Sequence, residues 1–463
     1  MTSRVLLCVA VVMAVVAQPA RAQGDDCILN ETPGSRATYM NAGTDNAMAF
    51  IGGGARFTCP DGLRIRSDSV AYYGASGIID FIGRATLRDS VNTLAARHIR
   101  YLTDQRQIVA TDSVVLTDLE TNSVIRGPFM NYFQRSDTRP ESLIQLPTGR
   151  PHAILVRAAR ADSAQVDTTI VDADAMEIID QTRFIARGNV EIERDSVRGF
   201  GSEAHFDQDA GDMVLTGSAR LVSPDYTMAG DTIEAETDQN EDIREVVGRG
   251  RARLNAEDAD VEAPRVHIFF ENAEVSRLVA VARTDSADVL TTGDSLSRRA
   301  RAISADFRLE ADSIDAVAPA EIIERVTAVG QAYGERITSD LANANVPAIA
   351  ATDWMRGDTI VATFAEDPEA PVDSAGRPQR VLKRVVAVGT GNLATSFYRT
   401  SDEEDPEAPP SINYILAMRI IVDLEAGEVS NIQAEEQVHG LNLQPIQREQ
   451  TGGAGTANRR SGR

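Results

Sequence analysis

The segment FIARGNVEI, residues 184–192, limits what this chain can fold into more than any other stretch. Phe184, Ala186, Gly188, Val190 and Ile192 fall on one side of an extended chain; Ile185, Arg187, Asn189 and Glu191 fall on the other. That alternation marks a half-buried strand, apolar on one face and wet on the other. A glycine in the apolar phase is anomalous, because it packs nothing and weakens a strand. The anomaly recurs. FIGRATL holds Phe81, Gly83, Ala85 and Leu87 in one phase, and MVLTGSARL holds Met213, Leu215, Gly217, Ala219 and Leu221. VVGRGRARL repeats it around Gly250 and ends in Leu254, VTAVGQAYG around Gly330, and VVAVGTGNLA around Gly389. IVATDSVVL has the same pattern with Asp112 in the glycine's place.

The centres are evenly spaced: 83 to 112 and Gly188 to Gly217 are both 29 residues, and Gly217 to Gly250 is 33. A period near 30 predicts a stacked repeat. Each unit opens on a small residue and a polar one, usually Asp, then a short alternating strand, a turn and the glycine-centred strand. Such a unit cannot bury its apolar face alone; neighbours must stack and share one core. Where two sheets converge or a sheet bends, opposing backbones approach and only Gly or Ala fits. The glycines Gly83, Gly188, Gly217, Gly250, Gly330 and Gly389 are therefore expected at close approaches. By strand phase, Phe184, Val190, Ile192, Met213, Leu215, Leu221 and Leu254 are expected to line the apolar interior. No long segment shows a helical stripe.

These strands resemble the OstA-like family, the periplasmic lipopolysaccharide transport protein LptA and the N-terminal domain of LptD. The family pairs an A-D-x-apolar-x-apolar strand with a G-N-V or G-x-A/V strand. Here ADAMEII precedes Gly188-Asn189-Val190, and GDTIEAETD precedes Gly250-Arg251-Ala252. The resemblance is strongest over 171–283, fair over 66–133 and 301–335, and weak to about 440. It implies an all-β, elongated β-jellyroll of stacked short antiparallel strands, with room for two jellyrolls in tandem. It implies an interior that holds acyl chains of lipopolysaccharide or another multi-acyl lipid. Head-to-tail self-association through edge strands, with inner-membrane LptC-like and outer-membrane LptD-like partners, is implied as well. The chain is longer than a typical LptA and lacks the long alternating strands of an LptD barrel.

Residues 1–22 read as a signal peptide, with Arg4, an apolar run and an A-x-A site before Gln23, so a periplasmic, soluble protein is expected. The remaining boundaries are an N-terminal extension (23–60), repeats (61–135), an insertion or linker (136–170), core repeats (171–283), a linker (284–300), divergent repeats (301–445) and a disordered tail (446–463). A formal net charge of −23 argues against nucleic acid as a partner and against docking on an anionic membrane. Cys27 and Cys59 are a disulfide candidate that would close a loop worth about 3 kcal/mol; two free thiols are the other reading.

Catalytic motifs are missing. His98, His152, His205, His267 and His439 are scattered and read as sheet-face residues. Asp172/Asp174 and Asp258/Asp260 lack calcium-loop spacing and read as solvated strand edges. Arg249, Arg251 and Arg253 form a basic row, read as salt-bridged to nearby carboxylates, with contact to lipid phosphates at the slot mouth as the other reading. No cofactor, metal site or enzymatic activity is expected. The competing readings are a structural or adhesive β-solenoid and a carbohydrate-active β-repeat enzyme.

Overall fold

The computed structural model describes residues 28–30, 32–58, 62–156, 168–180, 182–207, 210–237, 243–256, 259–272, 274–282, 299–304, 307–337, 352–366, 380–400, 410–425 and 428–444. The fold is all-β, built of stacked antiparallel strands; among these residues there is no α-helix, only short 3-10 turns at Gly74–Ser76 and Pro319–Glu321. The chain divides into two units, Met1–Glu257 with Arg265–Glu274, and Asp258–Pro264 with Val275–Arg463.

In the first unit each long strand is bent in the middle. Ile78–Arg88 shows the plan. Its first half pairs with Ser69–Tyr73 and its last three residues with Arg64–Ser67. Asp68 lies between those two short strands, and its N–H reaches the carbonyls of Ile82 and Gly83. Two walls result, joined along a row of corners. Arg183–Arg194, Val197–Asp207, Asp212–Val222, Tyr226–Thr237 and Ile243–Ala256 repeat the plan, each ladder shifting register at the bend. The first wall holds residues 183–187, 203–207, 212–216 and 232–237; the second holds 190–194, 197–201, 219–222 and 226–230.

In alternate strands the bend has one local cause. Two consecutive residues adopt left-handed φ at Gly83/Arg84, Asp112/Ser113, Gly149/Arg150, Gly188/Asn189, Gly217/Ser218 and Gly250/Arg251. A two-residue corner preserves the strand's parity, so Ala186 and Val190 both point inward across it. This explains why the glycine shares the apolar phase without being part of the core.

The second unit repeats the device. Phe307–Ala311 and Ser313–Val317 flank Asp312 and pair with the two ends of Arg325–Arg336, which bends at Gly330/Gln331. Trp354–Glu366, Arg380–Val388, Ala394–Thr400, Ser411–Ala417, Arg419–Glu425, Glu428–Glu435 and His439–Leu443 continue the ladder.

Residues 23–60 and 136–170, expected as an extension and an insertion, contribute strands. Ile28–Asn30, Arg36–Met40, Met48–Gly52 and Ala55–Thr58 pair into the ladder, as do Leu143–Leu146, His152–Val156 and Thr168–Asp172. Their short strands and turn-rich flanks hide the period. The signal peptide, the 284–298 part of the linker and the 446–463 tail lie outside the described residues.

Candidate functional site: the trough between the walls

The space between the walls of the first unit, the trough, is filled by side chains graded in size from corner to rim. Beside the corners sit Ala85, Ala110, Ala186, Ala219 and Ala252, all essentially inaccessible. At the rims the inward rows are bulky. One runs Ile178–Phe184–Phe206–Met213 across the first wall, and another runs Val171–Ile192 and Leu221–Met228–Leu254 along the second. Phe184, Val190, Leu221 and Leu254 are buried, whereas Ile192, Met213 and Phe206 are only half-buried. Leu215 is 0% exposed and lies deepest of the expected lining residues.

Close approaches between the two walls are found at further glycines. A methyl group at Gly201 would lie 2.7 Å from Leu215 Cδ1, and one at Gly199 would lie 3.6 Å from Leu215 Cδ2. Leu215 thus reaches from the first wall into a notch on the second. Gly248 faces Met228 Sδ at 3.1 Å, and Gly127 faces Leu146 Cδ2 at 3.0 Å in the same manner. These glycines need space, not positive φ.

The expected glycines have different neighbours. A Cβ at Gly83 or Gly188 would lie 2.5 Å from the carboxylate of Asp68 or Asp174, and Gly250 and Gly330 press in the same way on Asp231 and Asp312. Gly217 meets Ser202 at 2.5 Å. The left-handed corner and the polar side chain folded across it make glycine necessary there. Gly389 is different again: it has no positive φ, and its Cβ position collides with the carbonyl of Asn392 inside a turn. The polar residue that opens a repeat, Asp at four of these corners and Ser202 at Gly217, is the partner of the next strand's corner.

The outer faces are salt-bridged. Arg84 grips Asp68 at 2.7 Å, Arg251 reaches Asp231 at 2.7 Å, and Arg249 reaches Glu234 at 2.9 Å. Four histidines each meet a carboxylate: His98 with Asp80, His152 with Asp172, His205 with Glu203 and His267 with Glu245, at 2.6–3.1 Å. Asp80 is the most buried of these acids. Burial alone would raise its pKa, but hydrogen bonds from Arg100 and His98 outweigh burial and hold it below the usual carboxylate range. Asp358 accepts hydrogen bonds from the Thr390 hydroxyl and from the backbone N–H groups of Thr390 and Gly391, which lowers its pKa.

Two open grooves lie outside the trough on the corner row, one lined by Ile82, Arg84, Arg97, His98 and Asp112, the other by Arg150, Asn189, Phe200, Ser202 and Ser218. Among the described residues no three His, Cys, Asp or Glu side chains are placed to hold a metal ion. No helix among them is long and apolar enough to cross a membrane. Cys27 and Cys59 lie outside the described residues. Their neighbours Ile28 and Thr58 are direct cross-strand partners.

Among the described residues, the two strands nearest each end of the chain pair on one side only. Ile28–Asn30 and Arg36–Met40 each pair on one side only, with Ala55–Thr58 and Met48–Gly52. Glu428–Glu435 and His439–Leu443 likewise pair only with Arg419–Glu425 and Ser411–Ala417.

No protein family matches this sequence, and no curated protein matches it. Among solved structures the chain is similar to LptH from Pseudomonas aeruginosa, described as the LptA-homologous periplasmic component of the conserved lipopolysaccharide transport device. The identity is 16%, the match covers 29% of this chain and 82% of that one, and the TM-score is 0.23.

Proposed function

We propose that this protein is a non-enzymatic lipid carrier or bridge of the periplasm. Its trough would hold the acyl chains of lipopolysaccharide, or another multi-acyl lipid, on the way from inner to outer membrane. The observation that carries this reading is the graded interior: alanine at the corner, bulky apolar side chains at the rim, and rim residues Ile192, Phe206 and Met213 left half-buried. Acyl burial contributes about 0.8 kcal/mol per CH₂, so chains lying along a few repeats bind appreciably. The free edges at Ile28–Asn30 and His439–Leu443 suit backbone pairing with a further strand. They are where LptC-like and LptD-like partners, or a second copy, would join.

The rim gives the test. The exported chain is purified from a lipopolysaccharide-making bacterium and weighed by native mass spectrometry. Met213→Asp abolishes the lipid adduct, and Arg220→Ala, outside the trough, leaves it intact. Equal effects of the two substitutions, or no adduct in the parent protein, sink the reading.

A second reading has its own support. Leu215 plugs the notch at Gly199 and Gly201 so fully that the deep interior is packed by protein alone. A structural β-solenoid would look like that throughout. It predicts a parent protein that takes up no added lipid.

A further inference from the structure

The outer side of the second wall near the start of the chain departs from a pattern common on the other outer faces. Arginines on other outer faces meet carboxylates across strands: Arg100 with Asp80, Arg187 with Glu177 and Glu203, Arg277 with Asp315, Arg384 with Asp423. In the first strands the register sets arginine against arginine. One rung of the ladder reads Ile28–Thr58–Arg64–Arg88 and the next Asn30–Arg56–Arg66–Thr86. Arg64 stands directly opposite Arg88, Arg56 stands directly opposite Arg66, and all four are exposed. Strict alternation with buried Ala55, Phe57, Ile65 and Leu87 fixes them on the outer face.

Like charges directly opposed across strands destabilise a sheet. Among the described residues no carboxylate relieves them. Asp68 is engaged by Arg84. Asp89 and Asp118 accept hydrogen bonds from backbone N–H groups of their own turns. None of the four arginines has an ion-pair partner among the described residues. The first rung runs on through Thr93 and Thr117 to Val124, and the second through Ala95 and Val115 to Arg126, without a carboxylate. All this sits in a chain of formal net charge −23. A concentrated basic face on an acidic protein calls for an anion from outside.

We infer that this face docks on the surface of an anionic bilayer, its guanidinium groups on lipid phosphates. The charge complementarity is direct, since arginine binds phosphate bidentately. The four arginines stand exposed on two rungs of an open sheet surface, which suits a plane of headgroups better than one small anion. Ile28, 69% exposed and the most exposed large apolar side chain among the described residues, stands on the same rung. It can enter the interfacial layer beside the arginines. Net charge alone argued against an anionic membrane; the local arrangement reverses that argument for this face. The inference does not depend on what the trough carries.

The test is co-sedimentation of the full chain, purified by export so that the host processes any leader. The probes are vesicles of phosphatidylcholine alone and of phosphatidylcholine with about one third phosphatidylglycerol. Binding is expected to the anionic vesicles only, weakening as salt screens the surface. Each arginine near such a surface contributes about fivefold in affinity. Arg64→Glu/Arg66→Glu changes four units of charge and should weaken binding by at least about a hundredfold. Its unfolding temperature should not fall, because two repulsive pairs become attractive, so loss of binding is not loss of fold. Arg198→Glu/Arg220→Glu, an equal charge change farther along the same wall, should keep most of the binding. The inference is overturned by equal binding to neutral vesicles, or by equal losses in the two double variants. It is also overturned by sedimentation showing a self-associating protein whose association, rather than vesicle binding, is lost in Arg64→Glu/Arg66→Glu; a second copy would then be the occupant.

Discussion

Gly188→Ala is the sharpest probe of the corner that shapes every repeat. Gly188 has φ +76°, and a methyl group there would lie 2.5 Å from Asp174 Oδ2. Two costs arise. Holding alanine in the left-handed region costs about 1–2 kcal/mol. Turning the Asp174 side chain out of the way costs about 1 kcal/mol more in rotamer strain, and it breaks the 2.7 Å hydrogen bond from Asn189. The expected loss is about 2–3 kcal/mol. For a unit of this size that lowers the unfolding temperature by roughly 5–10 °C. The companion variant Asp174→Ala removes the obstructing carboxylate. In the double variant the steric share should vanish and only the conformational share remain, a coupling of about 1 kcal/mol in a double-mutant cycle. Thermal melts followed by circular dichroism read all four corners of the cycle. Additive effects would refute the claim that the glycine makes room for the carboxylate. An unchanged melting temperature in Gly188→Ala would refute the corner geometry itself.

Other expectations follow from particular contacts. Gly201→Ala should destabilise through the core rather than the backbone, because its φ is ordinary and its Cβ would overlap Leu215; adding Leu215→Val should recover part of the loss, and no recovery would contradict the notch. Asp80 has a depressed folded pKa, so its stabilisation is fully present above the unfolded carboxylate value near 3.9 and disappears as pH falls through the lower folded value. Asp80→Asn should therefore flatten the stability loss below about pH 4, and parallel pH profiles would contradict that. Because Ile28 and Thr58 are cross-strand partners, Cys27 and Cys59 should be oxidised in the exported protein, resisting alkylation until reduced; immediate labelling of both thiols would exclude the bridge.

The strand-by-strand architecture was legible in the sequence because each strand buries one face, and a period of two survives the corners. Two left-handed residues shift the chain by an even number of positions, so Ala186 and Val190 keep the phase that FIARGNVEI advertises. That same parity made Gly188 look like a core residue, although it sits at a bend and its neighbour is Asp174. The interior glycines, Gly199 and Gly201, were not legible as such. Nothing in RGFGSEAHF announces that Leu215 will cross from the other wall, since that contact depends on the bend rather than on local pattern. Of the lining residues chosen by phase, Phe184, Val190, Leu215, Leu221 and Leu254 are buried and Ile192 and Met213 half-buried, a gradation that phase cannot supply. Leu215 proves to be at the bottom of the packed interior, where Leu215→Asp would report folding, and Met213 and Phe206 at the rim. The short strands at 28–58 and 143–172 escaped because they are half-strands interrupted at corners by Asp68-like or Gly149-like residues. The opposed arginines of the basic face were visible as letters, yet their confrontation is a matter of register.

The most direct measurement is a photo-crosslink from the rim of the trough in living cells that make lipopolysaccharide. A benzophenone amino acid replaces Phe206, which is on the inward row with Phe184 and Met213, and in a second strain replaces His205, one residue away on the outer face beside Glu203. If acyl chains travel along the trough, irradiation yields a lipopolysaccharide adduct at position 206 and none at 205. Adducts at both positions, or at neither while the protein is folded and exported, would mean that the trough is a core and not a path for lipid.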